Sequence, residues 1–134
     1  MFVGKTVIER LDKKYYILKS TLSFKSKTGI IITIKPGFIT DGASIPKMFW
    51  GIIGCPLNAQ YIGSAIIHDG LYKSHALTKK ESDLMFKEML EHNQVHKIKI
   101  NAMYYALKFF GYHAYRDEII DCSHVEIVRH NTTV

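Results

Sequence analysis

The stretch Ile30-Ile31-Ile32-Thr33-Ile34-Lys35-Pro36-Gly37-Phe38-Ile39-Thr40-Asp41 decides the fold class, because extended chain hands over to helix at its end. Its first five residues are all β-branched and suit a pleated strand. A strand is expected over Ile30–Phe38, and its near-continuous apolar run predicts cover on both faces. Pro36-Gly37 then ends or kinks it.

Towards the N-terminus, Thr6–Arg10 and Tyr15–Phe24 are rich in β-branched and aromatic residues and read as two further strands. Turn signals separate the three: Asp12-Lys13-Lys14 before the second, Ser26-Lys27-Thr28-Gly29 before the third. Connections this short favour antiparallel pairing. Towards the C-terminus, Ser44-Ile45-Pro46 offers an N-cap ahead of a proline tolerated in a first helical turn. A short helix through Met48-Phe49-Trp50 follows, closed by Gly51 or Gly54. From Asn58 or Ala59 to Tyr72 a second helix carries Tyr61, Ile62, Ala65, Ile66 and Leu71 on nearly every side, as a central buried helix does. Thr78-Lys79-Lys80-Glu81 is a capping-box pattern opening a third helix to about Glu91, with Met85, Phe86, Met89 and Leu90 as its stripe. Lys97 to about Tyr115 forms a fourth, with Ile100, Met103, Tyr104, Leu107 and Phe110 facing the core. The alternation Val125-Glu126-Ile127-Val128 allows a short edge strand or a mobile tail. The reading is α+β: about three N-terminal antiparallel strands packed against three to four C-terminal helices. No repeat or linker interrupts the 134 residues, so one domain is expected.

An apolar share of 47% with three prolines argues against disorder. The first residues lack the layout of a signal peptide. No apolar run approaches the roughly 18–20 residues that span a bilayer, so a cytoplasmic product without a membrane span is expected. Cys55 and Cys122 fit no metal spacing, and two cysteines make no disulfide framework. The net charge of +6 is uneven: residues 1–40 hold eight Lys or Arg against two acids, the remainder ten of each. A basic sheet face attracts an anionic ligand or nucleic acid. Lysine outnumbers arginine there and no base-reading motif accompanies it, so lysine-protected edge strands explain it better.

Two features look wrong for a purely structural core. His68-Asp69 sits inside the most apolar helix, where buried ionisable groups cost several kcal/mol unless paired, hydrogen-bonded or metal-bound. Asp83 shares a helical face with Phe86 and Leu90, which aims its carboxylate at the core or a cleft edge. Asp41 follows the last strand, where loops often carry ligand groups, although Asp-Gly is also an ordinary turn. Asp41, His68, Asp69 and Asp83 together offer one imidazole and three carboxylates, a donor set suited to Zn²⁺, Mn²⁺, Fe²⁺ or Mg²⁺. Such an ion turns bound water into a nucleophile at neutral pH. Without metal, His68 is a candidate general base acting on water or on Ser44. Capping already accounts for Ser44, and Tyr72, one turn after His68, has either a supporting role or a core one. His92 and His96 are four apart without the glutamate of a metalloprotease helix, and they read with His75, His113, His124 and His130 as incidental.

Three stretches, Thr40-Asp41-Gly42-Ala43-Ser44-Ile45-Pro46, Ala65-Ile66-Ile67-His68-Asp69-Gly70-Leu71-Tyr72 and Ser82-Asp83-Leu84-Met85-Phe86, together resemble a phage and prophage family catalogued as domain of unknown function 1353. The likeness runs from about Phe38 to Arg116, and Ser82 stands where that family usually has alanine. It implies a viral or prophage origin and a product in the host cytoplasm or on the virion, with no settled activity. It also implies that the four polar positions act as a unit. The His-Asp dyad superficially matches the HD phosphohydrolases. No histidine precedes His68 to serve as their first ligand, and a strand-rich N-terminal third is foreign to that helical fold.

Three functions therefore compete, in this order: a metal-dependent hydrolase built on the His/Asp set; as its alternative, a non-enzymatic virion, tail or host-factor-binding protein in which that set is an internal network; and, last, nucleic-acid binding through the basic strands.

Overall fold

The computed structural model describes residues 1–12, 15–40, 61–112, 115 and 123–129. Asp41, Ser44 and the short helix expected through Met48-Phe49-Trp50 lie outside the described residues, as do Cys55 and Cys122.

Among the described residues, seven strands form two antiparallel sheets, and three helices follow the first six. The strands are β1 (Phe2–Val3), β2 (Ile8–Arg10), β3 (Tyr16–Leu18), β4 (Leu22–Lys25), β5 (Ile30–Ile34), β6 (Ile39–Thr40) and β7 (Val125–Arg129). One sheet runs β1-β4-β5-β7 and the other β2-β3-β6. The helices are α1 (Ile62–Ser74), α2 (Lys79–His92) and α3 (Lys97–Phe110). The expected α+β architecture is the one observed. No helix among the described residues is long and apolar enough to cross a membrane.

The β4–β5 hairpin turns where Ser26-Lys27-Thr28-Gly29 predicts. Gly29 takes φ +86°, a left-handed conformation that L side chains rarely adopt. The Ser26 amide donates to the Ile30 carbonyl at 2.8 Å. Register then sorts the side chains by face. Leu22 lies opposite Ile34 and Phe24 opposite Ile32, all four buried. Ser23 lies opposite Thr33 on the other face, their hydroxyls 2.9 Å apart. β5 is thus buried on one face and half-covered on the other: Ile32 and Ile34 are buried, with Ile30 half-buried beside them, while Ile31 and Thr33 are half-buried and Ile31 pairs with the exposed Val128 of β7.

The predicted strand Tyr15–Phe24 is two strands in different sheets. Its break at Lys19-Ser20-Thr21 is held by the Ser20 hydroxyl, which donates to the Lys5 carbonyl at 2.6 Å and accepts from the Val7 amide at 3.1 Å. Ile30–Phe38 likewise stops at Ile34, and the chain crosses to the second sheet as β6. β1 was not anticipated, and the Val125 alternation forms an edge strand on β5.

Helix α1 is the centre, packed on strands from both sheets and on α2, which in turn packs on α3. Every residue from Ser64 to Tyr72 is buried. A Cβ at Gly70 would sit 2.8 Å from Ile34 Cδ1, so glycine lets the helix lie close against β5. α1 ends at His75, a left-handed residue whose amide donates to the Leu71 carbonyl. The capping box at Thr78 forms as predicted: its hydroxyl accepts from the Glu81 amide at 3.1 Å, and Glu81 accepts from the Thr78 amide at 3.1 Å. Met85, Phe86, Met89 and Leu90 are buried as expected. α3 stops at Phe110, five residues short of Tyr115, with Gly111 as its cap. Its core row continues Ile100-Met103-Leu107 into buried Gly111, so Phe110, about 100° away, is 53% exposed rather than core-facing.

Candidate functional site

Helix α1 carries two polar pairs at four-residue spacing, His68/Tyr72 and Asp69/Lys73, and neighbouring positions on a helix point about 100° apart. The two pairs consequently reach different elements. His68, Asp69 and Asp83 are all buried, at 1%, 3% and 3% exposure. Asp83 was expected to aim at the core or a cleft edge; of His68 and Asp69, at least one was expected on the packed side, and both are buried.

The His68/Tyr72 pair faces α2. His68 Nε2 lies 2.9 Å from Asp83 Oδ1, and the Tyr72 hydroxyl donates to the same oxygen in a short hydrogen bond. Asp83 Oδ2 accepts from Lys79 Nζ at 2.7 Å, and that ammonium also donates to the Leu107 carbonyl at 2.8 Å. One carboxylate thus collects an imidazole, a phenol and an ammonium, and ties α1, α2 and the end of α3 together. Rings complete the setting: His68 lies 4.0 Å from Tyr72 and 4.9 Å from Phe86, centroid to centroid. Tyr115 packs edge-on against Tyr72 at 5.3 Å and donates its hydroxyl to the Leu77 carbonyl at 3.0 Å.

The protonation states follow from this surrounding. Burial pushes the His68 pKa down from its ordinary 6.5, more than the hydrogen bond and charge of Asp83 raise it. Burial also pushes the Asp83 carboxyl up, but hydrogen bonds from His68, Lys79 and Tyr72 outweigh it and hold the group below the usual carboxylate range. Burial, and then the Asp83 charge, drives the Tyr72 phenol well above its usual value, so it remains a donor. At neutral pH the set is a neutral imidazole, a carboxylate, a phenol and an ammonium. A carboxylate only accepts, so His68 carries its proton on Nε2.

The Asp69/Lys73 pair faces β6. Asp69 Oδ2 accepts from the Thr40 hydroxyl at 2.7 Å and lies 3.1 Å from Lys73 Nζ. Lys73 also donates to the Ile39 carbonyl at 3.1 Å and sits 5.4 Å from the centre of the Phe38 ring. This network anchors β6 immediately before Asp41.

The structure therefore brings His68, Tyr72 and Asp83 together and sends Asp69 elsewhere. Of the expected metal ligands, Asp41 lies outside the described residues. The other three do not point at one centre, because Asp83 and Asp69 are occupied by different internal donors. Among the described residues, no group of three or more His, Cys, Asp or Glu side chains is placed to hold a metal ion.

Sequence reasoning missed Lys79, Lys73, Thr40 and Tyr115. Two had a signal: Lys79 precedes Asp83 by four and Lys73 follows Asp69 by four, the spacing of helical ion pairs. Two histidines set aside as incidental have defined roles. His75 stacks on Tyr115 at 4.2 Å, and His96 caps α3 by accepting from the Ile98 amide at 3.1 Å. Ser82 is fully buried and satisfied by donating to the Thr78 carbonyl at 2.8 Å.

Beside this set lies a recess of about 380 Å³ between α2 and α3, lined by Lys79, Lys80, Asp83, Tyr104 and Lys108.

Comparison with known proteins places these residues in a family. The family model described as "Protein of unknown function (DUF1353)" matches residues 16–107. "Uncharacterized protein y4jT" of Sinorhizobium fredii (strain NBRC 101917 / NGR234) is 34% identical over 104 residues, covering 78% of this chain and 31% of that protein. "Uncharacterized protein y4iH" of the same strain is 30% identical over 100 residues, covering 75% of this chain and 42% of its own length. The chain thus spans less than half the length of these curated relatives. No solved structure matches it. With the matched region running from β3 to Leu107 of α3, and with it His68, Tyr72, Lys79 and Asp83, the chain belongs to the DUF1353 family.

Proposed function

We propose that this chain is a non-enzymatic binding protein of phage or prophage origin, acting in the host cytoplasm or on the virion, in which the His68–Asp83 set is an internal scaffold. The observation that carries this reading is the saturation of Asp83. Its carboxylate is 3% exposed and receives His68, Tyr72 and Lys79. A carboxylate that binds metal or acts as a general base needs an oxygen left for metal, water or substrate. A scaffold carboxylate needs every oxygen satisfied from within, which is the arrangement here.

Thermal unfolding of the wild type and of His68→Ala, with and without chelator and with added Zn²⁺, Mn²⁺ or Mg²⁺, tests it. The scaffold reading expects His68→Ala to lower the melting temperature by several degrees and the metals to leave the wild type unmoved. A wild-type melting temperature that rises with one of these ions, and ceases to do so in His68→Ala, overturns it.

A hydrolase reading retains one observation in its favour: Asp83 lines the recess between α2 and α3. On that reading Asp41, His68, Asp69 and Asp83 would hold a divalent ion once Lys79 and Lys73 released their carboxylates. Hydrolysis of a phosphate ester or peptide that is lost in both His68→Ala and Asp83→Asn would establish it in place of the scaffold.

A further inference from the structure

Helix α3 has an outer face rich in exposed aromatic residues. Ile98, Tyr105, Phe109 and Phe110, with Tyr112 just beyond, are 51–68% exposed. Isolated exposed apolar residues are ordinary, but an aromatic row at helical spacing marks a contact surface. Its charge has one sign. Lys97, Lys99 and Lys108 lie on the same helix, and no Asp or Glu occurs between Glu91 and Asp117.

The rings and cations are arranged together. Tyr105 and Phe109 lie nearly parallel, 16° apart with centroids 6.3 Å apart. Lys108 Nζ sits 6.0 Å from the Tyr105 ring and 5.9 Å from the Phe109 ring, and Lys87 of α2 sits 5.2 Å from Tyr104. Lys108 and Tyr104 also line the recess of about 380 Å³, with Lys80 exposed on its α2 side. Lys79 on its floor is neutralised by Asp83, so Lys80 and Lys108 supply its attraction for anions. Aromatic faces beside a lysine-lined recess are the two parts needed to stack a base and hold its phosphate. A second copy of the helix would bring lysine against lysine. A membrane surface would use the rings but not the recess.

From this juxtaposition we infer that the outer face of α3, with Lys80 and Lys87 of α2, binds single-stranded nucleic acid, Tyr105 and Phe109 stacking bases while Lys80 and Lys108 hold phosphates. The inference rests on the binding-protein reading and gives it a ligand. It is also separate from the N-terminal lysines considered from the sequence.

Fluorescence anisotropy with a labelled 12-mer of oligo-dT and the matching oligo-U, across a salt series, tests it. Binding is expected to weaken steeply with salt. Tyr105→Ala/Phe109→Ala and Lys80→Glu/Lys108→Glu should each weaken it by roughly tenfold or more, with unchanged melting temperatures because these side chains are peripheral. Lys25→Glu, on β4, should alter it less than about twofold. No binding at low salt, binding indifferent to the α3 variants, or loss caused by Lys25→Glu alone each overturns the inference. So does capture by phosphatidylserine vesicles without capture of either oligonucleotide. The melting experiments on the wild type and His68→Ala judge the scaffold independently, so failure of one is distinguishable from failure of the other.

Discussion

The two polar faces of α1 use the same grammar with different consequences. Each pairs a buried residue with another four positions on, and each recruits a lysine to a buried aspartate. On the His68/Tyr72 face everything converges on one carboxylate from another helix, so three helices share a single anchor. On the Asp69/Lys73 face the carboxylate and the lysine belong to the same helix, and the partners are a strand hydroxyl and a strand carbonyl. Convergence makes Asp83 irreplaceable in its setting. The other network ends on the carbonyl of the exposed Ile39, where water can stand in for a lost contact. Lys73 is 19% exposed against 14% for Lys79, a small difference, so the contrast rests on convergence more than on burial.

Asp83→Ala should show the largest effect. It strands the Lys79 ammonium beside two helices and removes the acceptor of two further donors, a loss of roughly 3–5 kcal/mol by chemical denaturation. Asp69→Ala should cost less, about 1–3 kcal/mol, because Lys73 can turn to solvent. Equal losses at the two aspartates would erase the contrast between the faces. Tyr72→Phe removes one of the donors to Asp83 while keeping its ring packing, and about 1 kcal/mol is expected from the same denaturation curves.

Acid should separate the faces further. The folded His68 pKa is depressed, so its contribution is present above the unfolded value of 6.5 and is lost as pH falls from there through the folded pKa. Asp83, also depressed, adds a second loss as pH falls below the ordinary 3.8. Stability of the wild type should therefore decline below about pH 6.5. His68→Gln should flatten that first decline and leave the lower one.

Much of this was legible in the chain, for reasons tied to particular residues. His68 and Asp83 were anomalous because apolar helical context makes buried ionisable groups costly unless partnered, and both are buried with the hydrogen-bond partners that cost demands. Which partners answer that cost was not legible from phase alone. The 100° between His68 and Asp69 sends them to different neighbours, and only tertiary packing says that one meets Asp83 and the other Thr40. The lysine at four-residue spacing was readable for both aspartates, yet helical lysines are so often solvated that the spacing alone does not single them out. In the strands, β-branched content correctly marked extended chain but could not show that Ser20 breaks Tyr15–Phe24 into two sheets. Phe110 was misplaced because the core row passes to Gly111, a residue without a side chain to advertise burial.

The measurement closest to the central claim is long-range ¹⁵N NMR of the His68 imidazole between pH 5 and 8, with and without Zn²⁺, Mn²⁺ and Mg²⁺. The scaffold account predicts a neutral ring protonated on Nε2 throughout the upper part of that range, protonating only below pH 6.5, and unmoved by any of the metals. A ring whose nitrogen signals shift or broaden on adding one of these ions, with an Asp83→Asn variant that does not respond, would contradict it.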